Sequence, residues 1–304
     1  MSGSKFFTSE VLNDRMKIAR TKSFRPYRIA YGASIEDTEL VDADEDFATL
    51  KVWEQPVDGA YYVIGADPAY GSSSWKDQFC IQVTRCYADA IEQVAEFCTI
   101  ECDTTRFAWV MICLSAWYNS GGSNPKVMMN LEINGPGQNV WSEIQNLRRL
   151  TPLIPGLDPR IVQMCANIQN YLYKRPDSMG GGYAYHWKTD GNSKERMLNA
   201  FKDGFERSII TLNSEDCLSE MKKVVREDGD IAAPGRSKDD RVIAMALCTV
   251  AWHDFIQLRL ASIGHTRAKR DQPKDLGPGT PLARNVSGWL SMMGIKRDGQ
   301  NPLH

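Results

Sequence analysis

The sequence predicts a mixed α/β fold, and three observations carry that prediction. Strand-like runs at residues 61–66, 79–85 and 91–100 follow one another over short links, the signature of an antiparallel meander. Helical and extended segments then alternate from 104 to 211. A long apolar helix, residues 239 to about 260, closes the core.

Residues 1–46 are polar and charged, with an acidic run at 37–46. They read as a linker or adaptor arm, whose aromatics Phe6, Phe7, Phe24, Tyr27 and Tyr31 could pin it onto something larger. The pattern changes at Leu50. Residues 61–66 (YYVIGA) are aromatic and branched, bounded by Asp-Gly and Asp-Pro, which predicts a buried strand. The turn-rich PAYGSSSWKD follows, then the alternating second strand and the third. Residues 104–118 have an N-cap candidate and helical apolar spacing, ended by Asn119, Ser120, Gly121 and Gly122. KVMMNL (126–131) reads as a fourth strand, and 136–150 as a helix with proline at its start.

Residues 160–187 hold Met179-Gly180-Gly181-Gly182 and read as a loop or mobile hairpin near the active face. Thr211 opens another strand-to-helix passage, in which Ser214 caps a helix running to about Val225. From 268 onward, Pro273, Gly277, Pro278, Gly279 and Pro281 predict a poorly ordered tail with a short anchored segment at 289–295. The expected plan is an arm at 1–46, an α/β domain at 47–262 and a basic, flexible tail at 263–304.

The chain has 304 residues, enough for a full core, and its 42% apolar content is that of a globular protein. The longest apolar stretches, 107–118 and 242–252, fall short of the roughly 18 residues a membrane span needs. MSGSKFFTSE offers no signal-peptide run. Eight cysteines form no CxxC word and only four histidines accompany them, which argues against zinc and for small buried thiols in a reducing compartment. The net charge is −2; residues 261–304 carry seven Lys/Arg against three Asp, +4, which leaves −6 for residues 1–260. Any DNA contact must therefore come from a local basic strip and from metal ions.

Three words place an acid at the edge of a buried element: GADPAYG (65–71), LEINGPG (131–137) and KDDRVIAMAL (238–247). Asp67 ends the first strand, Glu132 ends the fourth, and Asp239 and Asp240 open the closing helix. Each has an ordinary alternative, since Asp-Pro is a common turn and Asp a common helix cap. If they converged, their repulsion would call for a cation, and Mg²⁺ or Mn²⁺ prefers oxygen ligands. Two such ions about 4 Å apart can activate water, hold a scissile phosphate and steady the leaving 3′-oxygen. Asp77, across the turn, is close enough to join them.

These motifs, in this order over residues 1–260 or so, resemble the nuclease domain of the large terminase subunit of tailed double-stranded DNA bacteriophages, which is similar to ribonuclease H. The resemblance implies a ribonuclease H-like mixed sheet, three meander strands plus parallel strands, flanked by helices. It implies a first acid in a DPAxG-like word (Asp67) with a second Asp across the hairpin (Asp77). The second core acid falls in E-x-N-G-x-G, which is Glu132 with Asn134, Gly135 and Gly137. The third falls in an H/K-D-D word, with Asp240 the expected ligand and Asp239 its neighbour or alternate. In WKTDGNSKERM (187–197), Lys188, Lys194 and Arg196 become candidates for backbone phosphates, or simply solvated helix-surface charges.

The function implied is metal-dependent endonucleolytic cleavage of concatemeric viral DNA during packaging, with two Mg²⁺ or Mn²⁺ ions. The implied partners are double-stranded DNA, a small terminase subunit and the portal of the procapsid. The implied place is the host cell cytoplasm rather than the mature virion, with no membrane. Family members usually carry an N-terminal packaging ATPase with a GxxxxGK[ST] loop, and no such word occurs here. The chain is accordingly expected to be an excised domain or a stand-alone nuclease piece, its arm the segment that follows the ATPase. Two other classes share the acids: a resolvase-like nuclease on branched DNA, favoured by a dimer and junction selectivity, and a non-catalytic DNA-binding or assembly domain, favoured by an obstructed cleft.

Overall fold

The computed structural model describes residues 3–70, 78–119, 125–176, 182–227, 229–235 and 237–268. The chain divides into a unit spanning Met1–His265 and a second spanning Thr266–His304. Only 266–268 of the second are described, so the expected tail and its anchored segment lie outside the described residues.

In chain order the strands are β1 (Ser4–Lys5), β2 (Arg25–Ala30), β3 (Glu39–Asp42), β4 (Leu50–Val52), β5 (Tyr61–Asp67), β6 (Phe79–Cys86), β7 (Ile91–Thr99), β8 (Val127–Leu131), β9 (Lys174–Pro176), β10 (Tyr183–Tyr185), β11 (Ile210–Thr211), β12 (Val225–Glu227) and β13 (Asp230–Ala232). The helices are α1 (Ser9–Ala19), α2 (Thr104–Tyr118), α3 (Gly137–Leu150), α4 (Pro159–Ala166), α5 (Gly191–Glu206), α6 (Glu215–Met221), α7 (Asp240–Ala251) and α8 (Gln257–Ser262).

The central sheet runs β3-β2-β4-β7-β6-β5-β8, with β11 beside β7. β5, β6 and β7 pair antiparallel, as short links between alternating runs require. β8 joins β5 in parallel, and a parallel partner is reached only by a crossover, here through α2. At β5 both faces of the sheet are covered. Tyr62, Ile64 and Ala66 of β5 enter one core with α2 and α3, while Tyr61 and Val63 enter another with α5 and α7. That two-sided burial is why the strand reads as an unbroken apolar run. α7 lies backbone to backbone against β5: a methyl group on Gly65 would stand 2.1 Å from the Ala244 carbonyl oxygen. Only glycine permits that approach.

Residues 1–46 form part of this unit rather than a linker. β2 and β3 extend the sheet beyond β4, and β1 pairs with β12. Leu12 and Met16 of α1 are buried, and Phe7 meets Phe201 of α5 edge-on at 5.6 Å between centroids. The polar text conceals this because β2 and β3 lie at one end of the sheet and only Tyr27 of them is buried.

The 160–187 stretch, expected as a loop or mobile hairpin, holds a hairpin and also a helix. Asp158 caps α4 by accepting from the Arg160 amide, and β9 and β10 form an antiparallel hairpin. Eight helical residues are too few for periodicity to declare itself. The Gly-rich tip at 177–181 lies outside the described residues. The helix capped by Ser214 stops at Met221, short of Val225, where the chain turns into the β12–β13 pair. The closing helix continues from α7 through one π-helical turn, Trp252–Ile256, into α8. Among the described residues no helix is long and apolar enough to cross a membrane.

Candidate active site

Strand parity decides where the acids point. Val63 faces α7, so Gly65 and Asp67 of the same strand face it too. In β8, Met129 and Leu131 enter the opposite core, while Asn130 Nδ2 donates to the Leu247 carbonyl of α7 at 3.0 Å. Glu132, two residues further, therefore lies on the α7 side. Its amide donates to the Ala66 carbonyl at 2.9 Å, so Asp67 and Glu132 leave neighbouring parallel strand ends on one face. Asp240 is the first residue of the helix packed on that face.

The electrostatics register the meeting. Asp67 is 9% exposed. Burial, and then the charges of Glu132, Asp240 and Asp239, hold its carboxyl well above the usual carboxylate range. The Glu132 side chain is close enough to raise it further by hydrogen bonding. Among the described residues, all the main influences on Asp67 push upward and none is a Lys or Arg. Asp240 is likewise buried, and its Oδ2 accepts from the Gln78 amide at 3.0 Å. Asp239, at the cap position, accepts from the Ala233 amide at 3.2 Å. Asp77 lies outside the described residues.

The LEINGPG word holds Glu132 in place. Gly135 adopts a positive φ of 52°, and a methyl on Gly137 would stand 1.8 Å from the Glu132 carbonyl oxygen. Asn134 is bonded both ways to Thr189: its Nδ2 donates to the Thr189 carbonyl at 2.6 Å, and its Oδ1 accepts from the Thr189 amide at 3.2 Å. Trp187 bridges to Glu132 in parallel, which brings the 187–190 segment beside the acids.

The basic candidates are not gathered equally. Lys188 and Arg196 line a cleft of about 430 Å³ together with Tyr173, Lys174, Arg175 and Trp187. Arg196 lies over the Trp187 ring at 5.0 Å from its centroid and 4.0 Å from Asp254. Lys194 instead pairs with Asp230 at 3.1 Å.

Sequence reasoning missed a buried polar layer between β6, β7 and α7. Gln82, Gln93 and Glu96 bond to one another there, and Ser214 donates to Glu96 at 3.0 Å. Arg241 joins the layer through Glu96 and Glu220, at 3.1 and 2.6 Å. The readable signal was a charge set in an apolar run, Arg241 in DRVIAMAL and Glu96 in VAEFC. His186 was also missed. It is fully buried, its Nδ1 accepts from the Leu131 amide at 3.3 Å, and burial lowers its pKa to about 3. It therefore stays neutral near neutral pH, with one ring N–H and no net charge.

Carboxylate oxygens of this kind suit a hard divalent cation such as Mg²⁺ or Mn²⁺. Among the described residues, no three His, Cys, Asp or Glu side chains stand in an ion-holding arrangement.

A meander extended by a parallel strand, with helices on both faces, defines a ribonuclease H-like α/β domain. No family model and no curated protein matches the chain. Solved structures do resemble it. The large terminase nuclease of thermophilic phage G20c with bound magnesium is 15% identical, covers 82% of this chain and 98% of its own, and gives a TM-score of 0.48. The large terminase nuclease domain of Thermus phage P74-26 is 16% identical over 77% of this chain and 93% of its own, with a TM-score of 0.43. The human cytomegalovirus terminase nuclease domain is 14% identical over 66% and 86%, with a TM-score of 0.40.

Proposed function

We propose that this chain is a terminase-type nuclease domain: a divalent-metal-dependent endonuclease that cuts concatemeric viral double-stranded DNA. What supports the reading is the nearness of Glu132 and Asp240 to the buried Asp67, whose main influences among the described residues include no base. Buried like charges cost stability, so a cluster of this kind needs a cation to offset it. Asp67, Glu132 and Asp240 would hold two Mg²⁺ or Mn²⁺ ions, with Asp77 and Asp239 as further ligands. Bound there, the ions would activate water for attack on phosphorus and steady the leaving 3′-oxygen.

The chain's own residues supply the rest. Two strand ends and a helix start present the carboxylates from rigid elements, which keeps them in position. His186 stays neutral and leaves proton traffic to solvent. Lys174, Arg175, Lys188 and Arg196 would hold backbone phosphates in the cleft beside Trp187, and Lys194 would have to leave Asp230 to join them. A small terminase subunit, the procapsid portal, an ATPase domain in cis or trans and the host cytoplasm belong to the same reading, through the sequence resemblance.

Plasmid nicking in Mn²⁺, Mg²⁺ and EDTA, wild type against Asp67→Asn, tests it. The expected result is metal-dependent nicking that both chelation and the substitution abolish. Cleavage indifferent to both would overturn the proposal.

A further inference from the structure

A carboxylate on the first residue of a helix has room to rotate, because nothing in the helix itself fixes its plane. Asp240 is such a residue, yet its Oδ2 accepts from the Gln78 amide at 3.0 Å. Gln78 directly precedes β6, so its position must itself be held. The hold comes from the next residue of α7: Arg241 Nη1 donates to Gln78 Oε1 at 2.8 Å. Consecutive residues of the helix thus grip the residue that leads into β6, by its backbone and by its side chain.

Arg241 is anchored in turn. Its Nε donates to Glu96 of β7 at 3.1 Å, and its Nη1 to Glu220 of α6 at 2.6 Å. The other Glu220 oxygen accepts from the Arg241 amide at 2.9 Å, and Asp216 lies 3.8 Å from Nη2. The Glu96 and Glu220 side chains are 2% and 7% exposed and that of Arg241 is 15% exposed, so this is a buried ionic cluster. Apolar residues of similar volume usually stabilise a core as well or better, so such a cluster suggests a task beyond packing.

We infer that Arg241 and Gln78 form a clasp that fixes the Asp240 carboxylate toward Asp67 and Glu132, and that both are positioning residues for the cation site. The inference rests on the nuclease reading. Removing an outer partner of a metal ligand typically weakens metal binding about 10–100-fold.

The test is Mn²⁺ titration of the whole chain, followed by melting temperature and by nicking, for wild type, Gln78→Ala, Arg241→Lys and Arg241→Met. Gln78→Ala should melt in EDTA as the wild type does and need about tenfold more Mn²⁺ for half its stabilising effect. Arg241→Lys should fall between wild type and Arg241→Met. Should Arg241→Met fail to fold, Gln78→Ala and Arg241→Lys still decide the matter. A purely structural role would lower melting temperatures and leave the Mn²⁺ midpoint unmoved. A wild type that responds to Mn²⁺ while Gln78→Ala responds at the same concentration overturns the clasp alone. A wild type with no Mn²⁺ response overturns the nuclease reading and the clasp together.

Discussion

Replacing Asp67 by Asn should stabilise the protein without metal while abolishing cleavage. Near neutral pH the metal-free chain must either keep this carboxylate charged among its neighbours or bind a proton to it. Two unit charges about 5 Å apart at an effective dielectric of about 20 repel by about 3 kcal/mol. Protonation caps the penalty: from the ordinary value of 3.8, taking up a proton at about pH 7 costs about 4 kcal/mol. Asparagine keeps the shape, removes the charge and can still donate to Glu132. In EDTA at neutral pH the variant should gain about 2–4 kcal/mol, or roughly 4–12 °C in melting temperature for a domain of this size.

The sign follows from the direction of the shift. The folded-state pKa of Asp67 is raised, so the wild-type penalty is absent below the unfolded value and grows as pH climbs through the folded one. The gap between variant and wild type should therefore close near about pH 4. Saturating Mn²⁺ should raise the wild type and leave the variant where it was. Melting curves in EDTA and in Mn²⁺, from acid to neutral pH, measure all of this. A variant less stable than wild type in EDTA, or a gap as wide in acid as at neutrality, would refute the reasoning.

Two further outcomes are expected. Lys188→Ala should lower the slope of log affinity for duplex DNA against log salt by about 0.9, read by fluorescence anisotropy in EDTA; an unchanged slope would remove Lys188 from the DNA path. Burial lowers His186 to about 3, so its contribution to stability is complete above the ordinary 6.5 and is lost as pH falls from there toward the folded value. His186→Asn should accordingly lose about 2 kcal/mol less than wild type between about pH 7 and pH 5, and equal losses in urea melts at both pH values would refute it.

How much of this could be read from the chain depends on how local each cause is. The meander was legible because strand alternation and short links are properties of neighbours in sequence, and YYVIGA declared a strand covered on both faces. Asp67, Glu132 and Asp240 were legible one by one as acids at element ends. Their meeting was not, because it depends on β8 pairing parallel to β5 and on α7 lying against Gly65. Family resemblance, not spacing, supplied that step. β2 and β3 stayed hidden because an edge strand with one solvated side resembles a linker in composition. The clasp was least legible of all. Arg241 meets Glu220 at a separation of 21 residues and Glu96 at 145. A charge inside an apolar run announces that some partner must exist, because ions are rarely buried alone. Which partner it finds is decided only when the sheet and the closing helix are brought together, and that same event aligns Asp240 with the strand-end acids.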